Sequence, residues 1–150
     1  MNTLRKTAVV RAMNKLVSER IESAISSLSG LTESRNTASK STAGDKHETG
    51  RAMMEAEIQR AEQQLQKVKV LKNEMNNIPW RKRDVVGSGA WVRTNQGEFL
   101  ISVGLGKVEV SDTFCFALSG ASPLGQALQG SQVGDCISFR NRAYEILEIQ

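Results

Sequence analysis

The chain has 150 residues, of which 39% are hydrophobic and 5% aromatic, and its net charge is +4. This low apolar content disfavours one large core and favours an elongated protein in which each residue has few buried neighbours. No apolar run approaches the roughly 20 residues that cross a bilayer, and residues 1–17 lack the apolar block of a secretory signal. We therefore expect a cytoplasmic protein without membrane contact. The excess positive charge lies in residues 1–78, which favours contact with a polyanion or an acidic surface.

Residues 1–78 have the pattern of two paired helices. Apolar residues recur every three or four positions in two stretches, which places them on one face of each helix. They are Val10, Met13, Val17, Ile21, Ala24, Leu28 and Leu31, then Met54, Ile58, Ala61, Leu65, Val68, Leu71, Met75 and Ile78. The polar residues 32–43 predict a turn, and the second helix is predicted over 48–78, ending before Pro79. Two narrow stripes favour an antiparallel coiled-coil hairpin within a monomer, with pairing between two chains as the alternative.

The pattern changes after residue 78 and predicts a β-rich domain over 85–150, joined by a basic linker over 79–84. Strands are predicted over 90–94, 98–103, 113–118, 136–139 and 143–149, with turns at 95–97 and 104–106 and a connection over 140–142 between the last two strands. One helix is predicted between the third and fourth of these strands. Ser122 would cap it, Pro123 would occupy its first position and Gly130 would end it. The expected fold class is α+β, a helical hairpin followed by a small antiparallel sheet with one short helix.

The sequence contains no catalytic constellation. Cys115 and Cys136 lie in apolar stretches and are interpreted as buried thiols in a reducing compartment, although a disulfide stays possible. His47 is the only histidine, which argues against a Ser–His–Asp triad and against a Cys/His metal site. Gly87-Ser88-Gly89 lacks the lysine and the following helix of a phosphate-binding loop. An enzyme acting on its own is therefore not expected.

One acidic pair, Asp45 and Glu48, lies three residues apart at the start of the second predicted helix. Their carboxylates would lie on one side of the first turn and could supply hard oxygen ligands to Mg²⁺. Two carboxylates bind this ion weakly, so a second macromolecule would have to complete the site. Asp-x-x-Glu is also a capping box, in which Asp45 caps the helix and Glu48 reaches back. The two roles are compatible.

Two further features indicate a family. The turn Gly44-Asp45-Lys46-His47-Glu48 is similar to the glycine-aspartate-x-x-glutamate tip motif of the Gre transcript-cleavage factors of bacterial RNA polymerase. Val86-Gly87-Ser88-Gly89-Ala90-Trp91-Val92 resembles the opening of that family's FKBP-like domain. The segment from Ser122 to Gly130, followed by Val133-Gly134-Asp135, resembles its helix and next strand. The resemblance extends over nearly the whole chain.

The resemblance implies that the hairpin enters the secondary channel of RNA polymerase. Asp45 and Glu48 would help to hold the second Mg²⁺ of the polymerase active site, and the polymerase would cleave the 3′ end of its backtracked nascent RNA. The protein would need no cofactor of its own. Ser122 and Pro123 match the docking segment of the family.

The same resemblance implies that Lys40, Lys46 and Arg51 would meet RNA phosphates or acidic channel walls. The family usually has asparagine, an acidic residue and an aromatic residue after the tip glutamate, where this chain has Thr49, Gly50 and Arg51. A cation beside the carboxylates would compete with a bound metal, so a channel-binding regulator without cleavage activity stays open. So do a coiled-coil adaptor for another protein and, from the FKBP-like fold alone, a prolyl isomerase.

Overall fold

The computed structural model describes residues 2–40 and 48–150. Over these ranges the chain forms α1 (Asn2–Lys40), α2 (Glu48–Asn76), a six-stranded sheet and a short helix. The chain divides into two compact units. Unit 1 contains Met1–Lys15 and Asn73–Gln150, and unit 2 contains Leu16–Lys72. None of the described helices is both long and apolar enough to cross a membrane. The predicted α+β class is confirmed, and the predicted domain limits of 1–78 and 85–150 stay a prediction.

In unit 2, α1 and α2 pair in antiparallel order. Arg35 Nη1 lies 3.3 Å from Glu55 Oε1, whereas residues near Ala24 share a groove with residues near Val68. The partner position on α2 thus falls as the position on α1 rises. The buried side chains of the seam follow the predicted stripes; they are Val17, Ala24, Ile58 and Val68. The helical hairpin predicted from the apolar spacing is therefore confirmed for the described residues.

The predicted turn over 32–43 is wrong for residues 32–40, which continue α1. Leu31, Arg35 and Ala38 extend the spacing of three and four residues and are half-buried. Serine and threonine cost a helix only a fraction of a kcal/mol per residue relative to alanine, so packing against α2 outweighs their weak propensity. α2 ends at Asn76, two residues earlier than predicted, and Pro79 follows.

The sheet of unit 1 has the strand order β3-β4-β2-β1-β6-β5. Its strands are β1 (Trp91–Thr94), β2 (Gly97–Ser102), β3 (Gly106–Val110), β4 (Thr113–Ser119), β5 (Cys136–Phe139) and β6 (Arg142–Ile149), and α3 spans Pro123–Leu128. Five of the six strands agree with the prediction within about two residues. Strand β3 is not predicted, because Gly104 and Gly106 are interpreted as one turn. Its alternation is carried by only two apolar residues, Val108 and Val110.

The sheet is mixed, so the prediction of a fully antiparallel sheet is wrong for one pair of strands. β2 and β4 are parallel, with Phe99 opposite Phe116. The chain leaves β2 at Ser102 and enters β3 at Gly106, and three residues span about 10 Å, or two strand spacings. That gap receives β4. Because β3 and β4 form a hairpin at the edge, β4 returns in the direction of β2.

Both faces of the sheet are covered. One face carries the main core, which α3 closes with Leu128; its buried members are Val86, Ala90, Val92, Phe99, Ile101, Leu128, Tyr144, Ile146 and Ile149. On the other face lie Trp91 and Leu100, and the Arg5 guanidinium of α1 sits 5.4 Å from the centre of the Trp91 ring. Arg5 also forms an ion pair with Glu98 at 2.8 Å. The beginning of α1 is thus part of the packing of unit 1.

The two cysteines differ in environment. Cys115 is fully buried in β4, whereas Cys136 is exposed, and both are free thiols. The prediction that both are buried is therefore wrong for Cys136. β5 is an edge strand, and its side chains alternate between the two faces of the sheet. Ile137 and Phe139 point towards the core, whereas Cys136 and Ser138 point outwards.

The basic linker is fixed to unit 1 by a buried lysine. Lys6 is 5% exposed, and its Nζ donates hydrogen bonds to the carbonyl oxygens of Arg81, at 3.2 Å, and Gln150, at 3.1 Å. Gly89 has φ +86, and a Cβ at this position would collide with the carbonyl oxygen of Pro79. Only glycine fits this close approach of two backbone segments. The basic linker is thus held against both α1 and the sheet domain.

Candidate functional site

The described part of the predicted tip begins at Glu48. Glu48 is the first residue of α2, and its side chain is exposed, as is that of Arg51 three positions later. Residues three apart are neighbours on a helix surface, so a cation flanks this carboxylate. Asp45 and Lys46 lie outside the described residues, and Lys40 is described only as the final residue of α1. The joint geometry of Asp45 and Glu48 stays a prediction.

Carboxylates of the described hairpin do not gather into a metal site. Over 2–40 and 48–150 there is no group of three or more His, Cys, Asp or Glu residues placed to hold an ion. Glu55, two turns after Glu48, is paired with Arg35. Glu48 supplies the hard oxygen that Mg²⁺ prefers, but it must share the ion with ligands from elsewhere. The metal site shared with another macromolecule stays a prediction.

The predicted docking segment forms the start of α3. Ser122 is the N-cap: its Oγ accepts a hydrogen bond from the Gly125 amide at 3.1 Å and donates one to the Ser119 carbonyl at 2.6 Å. A Cβ at Gly125 would collide with that same carbonyl. Pro123 occupies the first helical position, where no amide hydrogen is needed, and is exposed. The hydroxyl of Ser122 thus fixes the turn, and Pro123 is presented to solvent.

A groove of about 410 Å³ adjoins α3; we call it the α3 groove. It is lined by Leu118, Ser122, Pro123, Leu124, Phe139, Arg140, Arg142 and Tyr144. The sequence predicts Ser122 and Pro123 as functional, but Phe139, Arg140, Arg142 and Tyr144 only as strands and a turn. The alternation of half-buried Phe139 and buried Tyr144 with exposed neighbours is the available signal. The groove is assembled from β4, α3, β5 and β6. The motif from Ser122 to Gly130 covers only α3 and therefore could not predict the groove.

The rings at the α3 groove belong to a row that crosses the sheet. Neighbouring ring centres are 5.8–6.4 Å apart, and the row is Phe114, Phe116, Phe99, Tyr144 and Phe139. Each end of the row carries a cation: Lys107 Nζ lies 4.5 Å from the centre of the Phe114 ring, and the Arg140 guanidinium lies 5.1 Å from that of Phe139. The apolar floor of the groove is therefore a rigid part of the core.

Two buried titratable groups outside the groove are structural. Burial, together with the Arg83 cation, lowers the pKa of Lys6. Burial raises the pKa of the Cys115 thiol to about 12, and the Glu98 carboxylate acts in the same direction. A thiol with so high a pKa is a poor nucleophile at neutral pH. Lys6 is engaged with two backbone carbonyl oxygens, and the Cys115 thiol is buried in β4, so both side chains belong to the packing of unit 1.

The chain is similar in fold to three solved structures. The GreA factor homolog 1 (Gfh1) of Thermus thermophilus is 16% identical, with a TM-score of 0.36 over 94% of this chain and 92% of that one. A structure of the transcription factor Gfh1 is 20% identical, with a TM-score of 0.39 over 92% and 93% of the two chains. Thermus aquaticus Gfh1 is 15% identical, with a TM-score of 0.32 over 93% and 94%.

The first of these structures is named as a homolog of the GreA factor. Likeness at these identities and TM-scores assigns neither an activity nor a partner to this chain. No protein-family model matches the sequence, and no curated protein gives a significant match.

Proposed function

We propose that the protein is a transcription elongation factor of bacterial RNA polymerase. Its α1–α2 hairpin would enter the secondary channel, and Asp45 and Glu48 would stimulate cleavage of the 3′ end of backtracked RNA. The chemistry would belong to the polymerase, with Mg²⁺ shared between its active site and the two carboxylates. The chain itself would be an accessory factor, not an enzyme.

The observation that carries this proposal is that two family-like motifs occur on exposed helix starts. Glu48 is exposed at the first residue of α2, and Pro123 is exposed at the first residue of α3, whose cap Ser122 is fully hydrogen-bonded. The α3 motif therefore presents Pro123 and also satisfies its own helix terminus through Ser122, whereas Asp45, the predicted cap of α2, lies outside the described residues. A segment with a structural role alone would need a satisfied helix terminus but no exposed functional group.

Paired amide substitutions test the metal role. Asn and Gln keep most of the capping capacity of Asp45 and Glu48 but lose the charge that holds a cation. Asp45→Asn/Glu48→Gln should bind core polymerase as the original chain does and lose at least about ten-fold in cleavage of stalled complexes. Glu57→Gln, on an exposed residue of the same helix, is the matched control and should retain cleavage. Undiminished cleavage by the double variant would rule out the metal role.

The second candidate is a channel-binding regulator without cleavage activity, and exposed Arg51 favours it. A guanidinium one turn from Glu48 opposes a divalent cation at the same carboxylate. In that case the original chain would bind polymerase and alter elongation without cleaving RNA. Arg51→Ala should then raise cleavage above its starting level. Absence of any binding to core polymerase would instead favour the coiled-coil adaptor.

A further inference from the structure

Unit 2 contains a groove between α1 and α2 that its own side chains leave unfilled; we call it the hairpin groove. Its volume is about 520 Å³, within the range of roughly 300–1,000 Å³ that proteins offer to bound ligands. Along α2 it extends from Ala61 to Leu71, which is about 15 Å, or nearly three helical turns. An elongated partner could therefore lie along the groove and contact both helices.

The floor of the hairpin groove is apolar and lined by small side chains. Ala24 and Val68 are 9% and 5% exposed, and Ala61 and Leu71 are half-buried. In helical bundles, the space between small side chains receives the large apolar side chains of a facing helix. The floor thus has the form that a third helix would need.

Two cations border the groove, Arg20 on α1 and Lys67 on α2. No described carboxylate forms an ion pair with either of them. The positions three and four residues away on the same helix hold no acidic residue, and none lines the groove. Further along the hairpin, by contrast, Arg35 is paired with Glu55. Arg20 and Lys67 are therefore available to carboxylates of a partner.

The lining of the groove distinguishes a partner helix from two other occupants. No lining residue is aromatic, so the bases of a nucleic acid have no ring on which to stack. A second hairpin would need an exposed apolar stripe. The exposed large apolar residues described in unit 2 are Ile25, Met53 and Val70, and no two of them are three or four positions apart. An apolar floor between two cations instead suits an amphipathic helix with acidic flanks.

We propose that the hairpin groove binds an acidic amphipathic helix of a partner protein, as the third helix of a bundle. Its apolar side chains would enter between Ala24 and Ala61, and its carboxylates would pair with Arg20 and Lys67. The inference goes beyond the proposed function, which assigns no role to these residues. Packed helices lie about 8–10 Å apart, so a third helix would widen the hairpin by that amount. Where the hairpin enters a polymerase channel, such a partner would compete with that entry and act as a regulator.

Filling the groove from within tests the proposal without a change of charge. The probe is a synthetic helical peptide with leucines at i, i+3 and i+7 and glutamates on both sides of this stripe. Calorimetry should show that the original chain binds it and that Ser23→Leu/Ser27→Leu binds at least about ten-fold more weakly. Leucine favours a helix more than serine does, so this variant should fold. Absence of binding to the original chain would overturn the proposal.

Ser26→Leu/Ser29→Leu is the matched control, because these exposed residues of α1 do not line the groove. It should change the affinity for the peptide by less than about three-fold. Equal losses in the two leucine variants would show that the peptide does not lie in the groove. A peptide of the same composition with its leucines scrambled should not bind, and stronger binding of oligouridylate than of the acidic peptide would also contradict the proposal.

Charge reversal tests the two cations separately from the apolar floor. Arg20→Glu/Lys67→Glu should weaken binding of the acidic peptide by at least about ten-fold and flatten its dependence on salt. Lys15→Glu/Lys69→Glu makes the same change in net charge on exposed residues that do not line the groove, and should weaken binding by less than about three-fold. Equal losses in both pairs would refute the pairing of Arg20 and Lys67 with the partner.

Competition separates this inference from the proposed function. Excess acidic peptide should lower the affinity of the full chain for core polymerase, and Ser23→Leu/Ser27→Leu should make that affinity insensitive to the peptide. Unchanged affinity with the groove occupied would refute the regulatory role. Peptide binding by a chain that fails to bind polymerase would refute the proposed function and leave the helix-binding groove standing.

Discussion

Unit 1 and unit 2 are stabilised in different ways. Unit 1 covers both faces of a sheet, and residues such as Leu100, Ile101 and Val92 are at most 1% exposed. Unit 2 is a pair of helices with one seam, and Ile25, Met53 and Val70 are left at 48–63% exposure. Burial of apolar area is the main favourable term in folding, so most of the packing stability belongs to unit 1. A side chain on the surface of unit 2 can therefore be exposed to a partner without a large core beneath it.

The seam of unit 2 is also incompletely filled. A groove of about 520 Å³ lies between the helices, bordered by small residues that include Ser23, Ala24, Ser27 and Ala61. Small side chains leave few dispersion contacts across the seam. We therefore expect unit 2 to open locally at lower free energy than unit 1. Core truncation, glycine substitution and alkaline pH should each change the stabilities of the two units to different extents.

The largest expected effect comes from truncating one core residue in each unit. Leu100→Ala should lower the free energy of unfolding of unit 1 by about 2–5 kcal/mol, because a fully buried leucine leaves a cavity in the sheet core. Val68→Ala, in the seam, should cost about 1–3 kcal/mol. Both tryptophans, Trp80 and Trp91, lie in unit 1. Denaturation followed by tryptophan fluorescence should therefore register the first change, and helical circular dichroism the second. Coincident transitions in every variant would show one cooperative unit and contradict the comparison.

Glycine-to-alanine substitution should have effects of opposite sign on the stabilities of the two units. Gly89→Ala should destabilise unit 1 by about 1–3 kcal/mol, because the glycine has positive φ and its missing Cβ makes room for the Pro79 carbonyl. Gly30→Ala should stabilise unit 2 by about 0.5–1 kcal/mol, since Gly30 is inside α1 with no atom within 4 Å of the added Cβ. Thermal melts compare the two variants. A stabilised Gly89→Ala would show that the two backbone segments do not approach as closely as the structure has them.

The smallest effect concerns alkaline pH and is confined to unit 1, which contains both cysteines. The folded-state pKa of Cys115 is raised to about 12, so above pH 9 the unfolded state loses this proton first. The stability contributed by the buried thiol therefore falls as pH rises from 9 towards 12. Cys115→Ala should show a shallower loss between about pH 9 and 11 than the original chain, and Cys136→Ala should not. Lys6, whose pKa is lowered, is common to all three proteins and cancels in the comparison.

The sequence predicts those elements whose signal is local. The apolar stripes of α1 and α2 and the cap of α3 each depend on residues within a few positions of one another. The end of α1 escapes prediction because pairing with α2, as at Arg35 and Glu55, outweighs the weak propensity of residues 32–40. Strand β3 and the parallel pairing of β2 with β4 escape it because they depend on which strand fills a gap left by another. The order and direction of these strands are determined by the packing of the whole sheet.

The residues of the candidate site likewise fall into those predicted from a local motif and those whose position depends on the fold. Ser122 and Pro123 are predicted from one continuous motif, and the structure gives them the expected cap and exposed first position. Arg140 and Arg142 are interpreted from sequence as a connection between strands, because their position beside α3 depends on the fold of β5 and β6. The exposure of Cys136 is missed for a related reason, since sequence does not show which strand forms an edge. Asp45 and Lys46, in the predicted tip, remain outside the described residues.

The hydrogen bond from Lys6 to the Gln150 carbonyl joins residues 144 positions apart. During synthesis on the ribosome, the helices of unit 2 can pair as soon as residue 72 has emerged, because their contacts are between neighbouring segments. The first turn of α1 must wait, with Lys6 still lacking the Gln150 carbonyl to which it donates in the finished protein. Unit 1 can close only when the final strand arrives. The nascent chain thus passes through a stage in which the hairpin is formed and the sheet of unit 1 is still incomplete, the stage at which a chaperone would be needed most.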